Sequence, residues 1–217
     1  MDHDYYDQIA GALYTAVLGD VMDSLGYRHQ IMRHDIRPLY AEAIVVGRAA
    51  TMLAVETDQI AAEPYKLELA LLDDLKPGEV VVCSCEGAPR SGIWGELLST
   101  QARARGGRGA LIDGFCRDLR AIRSMGFPVF AAGLSPADSL GRNDVTAIRV
   151  PITVGDVLVH DGDLVLADDD GCVVVPQGIE DDVVARALHK VSAENHVREL
   201  LRQGTSIQDV FKEYGVL

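Results

Sequence analysis

Residues 79–133 read EVVVCSCEGAPRSGIWGELLSTQARARGGRGALIDGFCRDLRAIRSMGFPVFAAG, and this stretch decides the fold class. Three short apolar segments have the character of buried strands: Glu79–Cys85, 108–113 and 127–133. Two helical patterns alternate with them, one from near Trp94 to Gly106 and one from Leu119 to Met125. Repeated strand–loop–helix units are typical of a sheet covered by helices, so the sequence predicts an α/β fold.

The N-terminal part adds helices and a strand region to this unit. Apolar residues recur at helical spacing from Tyr5 to Leu25, and Gly26 supplies a stop. The segment from Ala43 to Val55 predicts one or two strands, and residues 61–75 predict a helix that ends before the Lys76-Pro77-Gly78 turn.

The last third changes to short β segments and then to a helix. The β segments are Val145–Ile152, Asp156–His160, Leu164–Ala167 and Cys172–Val175. The sequence Asp169-Asp170-Gly171 lacks the alternating ligands and distal Glu of a calcium loop, so it predicts a hairpin turn. An amphipathic helix follows from Glu180 to Arg202, within a helical extension of about residues 179–217. With no linker or repeat in sight, we expect one domain over residues 1–217, with helices at both ends.

Composition excludes several classes of protein. The chain has 217 residues with 33 acidic and 20 basic side chains and a net charge of −13, which argues against nucleic-acid binding. No apolar run approaches the roughly 18–20 residues of a membrane span, and the first residues lack the pattern of a signal peptide. The four cysteines show neither a disulfide framework nor metal-ligand spacing, so we expect a cytoplasmic protein without membrane or nucleic-acid partners.

The charge is unevenly distributed along the chain. Residues 90–150 contain 9 arginines and 5 acidic residues, whereas the segments on either side are strongly acidic. The guanidinium group presents a fork that fits carboxylate or phosphate. This positive middle third predicts a site for a small anion.

Common catalytic motifs are missing from the sequence. It contains no GxGxxG, GxxxxGK[ST] or GxSxG, which argues against dinucleotide, P-loop and hydrolase chemistry. Its four lysines fall in charged helical segments or in a turn, so a covalent lysine intermediate is not expected.

Two neighbouring loops remain as the candidate site. The free N–H groups at the predicted helix start, Gly95-Glu96-Leu97-Leu98, favour a carboxylate or phosphate. The next strand leads into Arg117-Asp118, and the ends of adjacent parallel strands meet at one sheet edge. There the arginine could hold a substrate oxyanion and the aspartate a hard divalent cation. Asp113 is expected to support this loop by accepting backbone N–H bonds.

The residues of these loops resemble the RraA-like family. The resemblance rests on Trp94-Gly95-Glu96-Leu97-Leu98, on Gly109 to Asp118 with its Arg-Asp pair, and on Phe127-Pro128-Val129-Phe130. It extends to Val21–Gly26 and to Asp161–Pro176, and so covers nearly the whole chain. The family contains divalent-metal aldolases acting on 4-hydroxy-4-methyl-2-oxoglutarate and 4-carboxy-4-hydroxy-2-oxoadipate, and also the regulator of ribonuclease activity A. The aldolases carry an acidic residue, twenty intervening residues and Arg-Asp; Glu96, Arg117 and Asp118 fit that spacing, with Glu where some members have Asp.

The resemblance implies a swivelling β/β/α fold, a homotrimer or homohexamer, and a set of roles. Backbone amides of residues 95–98 and the side chain of Arg117 would hold the pyruvyl end of a 2-oxo acid. Asp118 would bind Mg²⁺ or Mn²⁺, and Glu96 would reach the metal through water. An acidic residue from the C-terminal helix of a neighbouring subunit completes the site in some members, and the candidates for it here are Glu194 and Glu199.

The sequence therefore predicts a metal-dependent aldolase. We expect it to cleave a 4-hydroxy-2-oxo dicarboxylic or tricarboxylic acid to pyruvate and a second carbonyl compound, with Glu96 and Arg117 as catalytic residues. Because the same enolate chemistry releases CO₂ from oxaloacetate, we also expect oxaloacetate decarboxylase activity. The alternative is a non-catalytic protein that binds a ribonuclease through its acidic surface.

Overall fold

The computed structural model describes residues 3–87 and 89–215, with the backbone alone at residues 3 and 4. Where a sequence prediction extends over Met1, Asp2, Ala88, Val216 or Leu217, that part of it lies outside the described residues. The strands are β1 Arg37–Pro38, β2 Val45–Glu56, β3 Glu79–Ser84, β4 Gly92–Trp94, β5 Gly109–Cys116, β6 Val129–Leu134, β7 Asn143–Ile148, β8 Ile152–Val154, β9 Val157–Val159, β10 Leu164–Asp168 and β11 Gly171–Val175. The helices are α1 His3–Ala12, α2 Thr15–Ser24, α3 Lys66–Asp74, α4 Glu96–Ala104, α5 Leu119–Met125, α6 Glu180–Arg202 and α7 Ile207–Tyr214, with a 3-10 turn at Gln177–Ile179.

Within the described residues, nine strands form one sheet, in the order β1-β6-β5-β3-β2-β10-β11. Strand β4 lies beside β5, and β7 lies beside β2. Strands β3, β5 and β6 are parallel, so their carboxyl ends meet at one edge. The long strand β2 pairs with β3 on one side and with β10 and then β7 on the other, with a register shift against β7 between Leu53 and Ala54.

Side chains of the parallel strands alternate between two cores. Val81 and Cys83 face the core formed with α3, α4 and α5. Val80 and Val82 face a second core that includes the separate β8–β9 hairpin. Helices α1, α2 and α6 pack on β10 and β11 in a third cluster. The predicted α/β class, with two β layers, a helical layer and helices at both ends, is confirmed.

The hairpin predicted at Asp169-Asp170-Gly171 is confirmed, since Asp168 pairs with Gly171 across β10 and β11. In the described part of the chain, none of the helices is long and apolar enough to cross a membrane.

Two predicted helices are wrong in extent. The Tyr5–Leu25 helix is interrupted, because Tyr14 is extended and the Asp168 carboxylate accepts hydrogen bonds from the Thr15 N–H and hydroxyl, at 2.8 and 2.6 Å. This carboxylate lets a new helix begin at Thr15. The helix predicted over 61–75 begins only at Lys66, because a residue that precedes a proline avoids the helical conformation and Pro64 lies within the predicted range.

Three other helix or strand boundaries in the structure also differ from the predicted ones. Residues 92–94 form a strand beside β5, and the helix predicted from Trp94 begins at Glu96. Strand β5 continues three residues past the predicted end at Asp113. The strand predicted over Val145–Ile152 is divided between β7 and β8.

Glu180 connects three parts of the fold. Its buried carboxylate is paired with the Arg48 guanidinium of β2 and accepts a hydrogen bond from the Tyr5 hydroxyl of α1 at 2.9 Å. The N-terminal helix, the sheet and the C-terminal helix therefore meet at one charged group.

We predict that Glu180→Ala lowers the free energy of unfolding by about 3–5 kcal/mol, because it removes the buried carboxylate that neutralises the Arg48 guanidinium. Urea denaturation followed by circular dichroism measures this. The matched control is Asp182→Ala, which removes an exposed ion pair with Arg186 on the same helix and should change stability by less than about 0.5 kcal/mol. A loss at Glu180 no larger than that of the control would contradict the prediction.

Candidate active site

The site is built around the pairing of β4 with β5. The Arg117 N–H donates to the Trp94 carbonyl at 2.8 Å, which fixes the end of β5 beside the start of α4. The Trp94 ring is fully buried, and its Nε1 donates to the Ser99 hydroxyl at 2.8 Å. Ser99 in turn donates to the Gly95 carbonyl at 2.9 Å. These hydrogen bonds hold the first turn of α4 at the carboxyl edge of the sheet.

The first turn of α4 presents its backbone amides to the site. The Glu96 N–H donates to Asp118 Oδ2 at 3.2 Å, and the next N–H groups of the turn have no acceptor within the helix. Gly95 leaves space for this close approach, because a Cβ there would lie 2.9 Å from Asp118 Oδ2 and 3.2 Å from Arg117 Cγ. The helix start is therefore suited to a carboxylate.

Arg117 and Asp118 follow β5. Asp118 has a φ of 60° in the left-handed region, which turns the chain into α5. Arg117 lies between two carboxylates, with its Nε 3.8 Å from Asp118 Oδ2 and its Nη1 3.5 Å from Asp138 Oδ1. The side chains of Arg117 and Asp118 remain partly exposed, so the Arg117 guanidinium has room for a substrate anion.

All the residues predicted from the loop sequences come together around one cavity of about 260 Å³. They are Gly95, Glu96, Leu97, Leu98, Arg117 and Asp118. The Glu96 carboxylate is held by a 2.7 Å hydrogen bond from the Thr100 hydroxyl. The roles assigned to these residues stay predictions.

Sequence reasoning missed the opposite wall of the cavity. It consists of Tyr65, Glu68 and Leu69 at the start of α3 and of Asp138 and Ser139 in the loop after β6. Tyr65 has a φ of 63°, an uncommon conformation for an aromatic residue, and its hydroxyl lies 3.3 Å from Asp138 Oδ1 and Oδ2. Burial, and then the charge of Asp138, raise the pKa of Tyr65, so its hydroxyl stays a donor.

Glu68 is the unusual residue of this wall. It is only 5% exposed, and in the described structure its carboxyl makes no hydrogen bond or ion pair. Burial, and then the nearby charge of Asp138, raise its pKa to about 7, although Arg117 opposes the shift. A sequence signal for it existed: Glu68 lies on the same helical face as the buried Leu71 and Leu72. An acidic residue among buried apolar residues on one helix face indicates that this face borders a cavity.

The oxygen donors of the site fit a hard divalent cation. Asp118 and Glu96 place two carboxylates at the cavity, and such groups are what Mg²⁺ and Mn²⁺ prefer. Over residues 3–87 and 89–215, no three acidic, histidine or cysteine side chains gather as a metal cluster. Mg²⁺ commonly takes one or two protein carboxylates and completes its shell with water and substrate, so the donor set is sufficient.

The two carboxylates predicted to come from a neighbouring subunit lie elsewhere in their own chain. Glu194 accepts a hydrogen bond from the Tyr14 hydroxyl and lies 3.9 Å from Lys190 Nζ. Glu199 is exposed and lies 3.7 Å from Arg202. Neither is among the described residues that line the cavity, so a role in the site of another subunit stays a prediction.

Two other expectations need correction. Most arginines of the middle third lie away from the cavity, and several of them are paired with carboxylates, as in Arg90 with Asp58 and Arg149 with Glu79. Arg117 is the one arginine among the described residues that line the cavity. Asp113 does not support the Arg117-Asp118 loop; it accepts from Gly155 N–H and from Arg33 instead, at 2.9 and 2.6 Å.

Comparison with known proteins agrees with this fold. The chain is 32% identical over 185 residues to a protein of Halalkalibacterium halodurans that carries the provisional name 4-hydroxy-4-methyl-2-oxoglutarate aldolase; the match covers 85% of this chain and 82% of that protein. It is 28% identical to an uncharacterized Pseudomonas syringae protein of known structure, with a TM-score of 0.86 over 99% of this chain and 95% of that one. Streptomyces coelicolor RraAS2, described as an unusual member of an RNase ES inhibitor family, gives 28% identity and a TM-score of 0.79 over 91% and 97% of the two chains.

The family model that matches covers both the site and the sheet. Its description is RraA-like, Aldolase/RraA, and it matches residues 15–174, from the start of α2 to β11. All of the residues around the cavity lie within this range. The chain therefore belongs to the RraA-like family of aldolases and RraA proteins.

Proposed function

We propose that this protein is a divalent-metal-dependent aldolase that cleaves a 4-hydroxy-2-oxo acid to pyruvate and a second carbonyl compound. The observation that carries the proposal is the convergence of Arg117, Asp118 and the first turn of α4 on one cavity. The dicarboxylic and tricarboxylic substrates expected from the sequence all share the pyruvyl half that such a site would hold.

The pyruvyl half suits the groups at this end of the cavity. The amides at the start of α4 and the Arg117 guanidinium offer donors for the carboxylate and the C2 oxygen. When the C3–C4 bond breaks, its electron pair passes to the C2 oxygen, the C4 hydroxyl loses its proton and C3 later gains one. Arg117 stabilises the negative charge that develops on the enolate oxygen.

Asp118 would bind the metal ion, and the Glu96 carboxylate, fixed by Thr100, would bind one of its waters. A divalent cation at this position supplies Lewis-acid polarisation of the C2 ketone. The same charge stabilisation would release CO₂ and pyruvate from oxaloacetate.

A trimer or hexamer, as the family resemblance implies, is part of this proposal. Leu97 and Leu69 are 77% and 51% exposed at the rim of the cavity. Apolar side chains in this position are suited to contact with a neighbouring subunit, which could also contribute Glu194 or Glu199.

Ribonuclease binding is less well supported. The comparison with RraAS2 concerns the fold, and a protein that only binds a partner has no need of an arginine and carboxylates gathered in one cavity beside a helix start. The presence of these groups together favours chemistry at the site.

We predict that Arg117→Ala lowers kcat for pyruvate release from oxaloacetate by about 10²–10³, because it removes the donor to the enolate oxygen. A coupled assay for pyruvate measures this in the presence of Mg²⁺. Arg123→Ala, which removes an exposed arginine of α5 outside the cavity, is the control and should keep the wild-type rate. If the wild-type protein released pyruvate from oxaloacetate no faster than Mg²⁺ alone does, the proposed function would be wrong.

We further predict that Asp118→Asn weakens Mn²⁺ binding at least about tenfold, because a neutral amide is a poorer ligand for a hard cation. Electron paramagnetic resonance of free Mn²⁺ gives the dissociation constant directly. Asp169→Asn, in the exposed turn between β10 and β11, should leave the constant unchanged. Equal binding by wild type and Asp118→Asn would place the metal elsewhere.

A further inference from the structure

We propose that Asp138 and Tyr65 are positioning residues that hold the Arg117 guanidinium toward the C2 oxygen of the substrate. This inference rests on the proposed function, which gives Arg117 the task of stabilising the enolate. It concerns three side chains from three separate elements: Arg117 after β5, Asp138 in the loop after β6 and Tyr65 at the start of α3. All three line the same cavity.

The Arg117 side chain needs other groups to direct it. Its backbone N–H is fixed by the Trp94 carbonyl, but the side chain is 36% exposed, and no hydrogen bond of the guanidinium is found among the described residues. A long side chain with several rotatable bonds loses entropy when it is fixed for catalysis. Two carboxylates of the described chain lie within 4 Å of the guanidinium, those of Asp118 and Asp138, and they set its direction.

The two carboxylates have different tasks. In the proposed function Asp118 binds the divalent cation, and the charge of such an ion exceeds that of the guanidinium. Asp118 Oδ2 also accepts a hydrogen bond from the Glu96 N–H at 3.2 Å. Asp138 Oδ1 lies 3.5 Å from Arg117 Nη1 and has no such second task. Asp138 is therefore the carboxylate left to direct Arg117 in the loaded site.

Backbone hydrogen bonds fix the loop that carries Asp138. The Ser135 N–H donates to the Cys116 carbonyl at 3.0 Å, and the Gly92 N–H donates to the Ala137 carbonyl at 2.9 Å. A Cβ at Gly92 would lie 2.4 Å from the Ser135 carbonyl oxygen, so the close approach of β4 to this loop needs a glycine. Asp138 is thus held against the same pair of strands, β4 and β5, on which the candidate site is built.

Tyr65 fixes the Asp138 carboxylate from α3. Its hydroxyl donates to this carboxylate and lies 3.3 Å from both oxygens. Tyr65 has a φ of 63°, and backbone strain of this kind in a residue with a bulky side chain is most often found at functional sites. Burial, and then the charge of Asp138, raise the pKa of Tyr65, so the hydroxyl keeps its proton at neutral pH.

A guanidinium held in one direction favours the transition state over the bound ketone. The C2 oxygen gains its negative charge only as the carbon–carbon bond breaks, so a donor aimed at it acts mainly on kcat. A misdirected Arg117 keeps its positive charge and still attracts the anionic substrate. Loss of Asp138 or Tyr65 should therefore lower kcat and leave KM nearly unchanged.

The test measures kcat and KM for pyruvate release from oxaloacetate with Mg²⁺ in wild type, Asp138→Asn and Tyr65→Phe. We expect kcat to fall about tenfold in Asp138→Asn and about threefold in Tyr65→Phe, because a misdirected donor loses part of the 10²–10³ that a removed donor costs. KM should stay within about twofold of wild type. Asp58→Asn, which neutralises an exposed carboxylate paired with Arg90 outside the cavity, is the matched control and should keep both constants.

A double-mutant cycle separates positioning from a general structural effect. If Asp138 acts through Arg117, Asp138→Asn should lower kcat less than about twofold in the Arg117→Ala background, because the guanidinium that it directs is missing. The dissociation constant of Mn²⁺, measured by electron paramagnetic resonance, should be the same in Asp138→Asn as in wild type.

Three results would overturn the inference and leave the proposed aldolase in place. They are a wild-type kcat in either single variant, a tenfold loss from Asp138→Asn in the Arg117→Ala background as well, and weaker Mn²⁺ binding by Asp138→Asn, which would make Asp138 a metal ligand. Pyruvate release by wild type no faster than by Mg²⁺ alone would overturn the proposed function and the inference together.

Discussion

The hydrogen bond between Arg117 N–H and the Trp94 carbonyl is the contact on which the candidate site depends. It joins β4 to the end of β5, and so places the start of α4 beside the turn that carries Arg117 and Asp118. Trp94, buried and bonded to Ser99, keeps this junction rigid. Groups that are separated by twenty residues thereby share one cavity, with their directions set by backbone geometry rather than by long side chains.

The parts of this arrangement that follow from local patterns could be predicted from the sequence. The continuous apolar run in Glu79–Ser84 and the helical spacing after Glu96 predicted a buried strand and α4, and the resemblance to the RraA-like family pointed to Arg117 and Asp118. The interruption between α1 and α2 could not be predicted, because it depends on Asp168, more than 150 residues away. The cavity wall formed by α3 and the Asp138 loop was missed because these elements meet Arg117 only in the folded chain, although Glu68 among the apolar residues of α3 was a signal.

Charge divides the cavity into two ends with different tasks. At one end, Arg117 and the amides of α4 favour an anion, while Asp118 and Glu96 favour a cation beside it. At the other end, Glu68 and Asp138 favour hydrogen-bond donors. Burial is the main cause that raises the pKa of Glu68 to about 7, so this carboxyl is partly neutral near pH 7.

The most direct test of this account is a crystal structure with Mn²⁺ and oxalate, which mimics the pyruvate enolate. We expect Mn²⁺ on the Asp118 carboxylate, chelated by oxalate, with oxalate oxygens accepting hydrogen bonds from Arg117 and from the first-turn amides of α4. The Glu96 carboxylate should then contact a water on the metal. Oxalate bound outside this cavity, or Mn²⁺ held without Asp118, would contradict it.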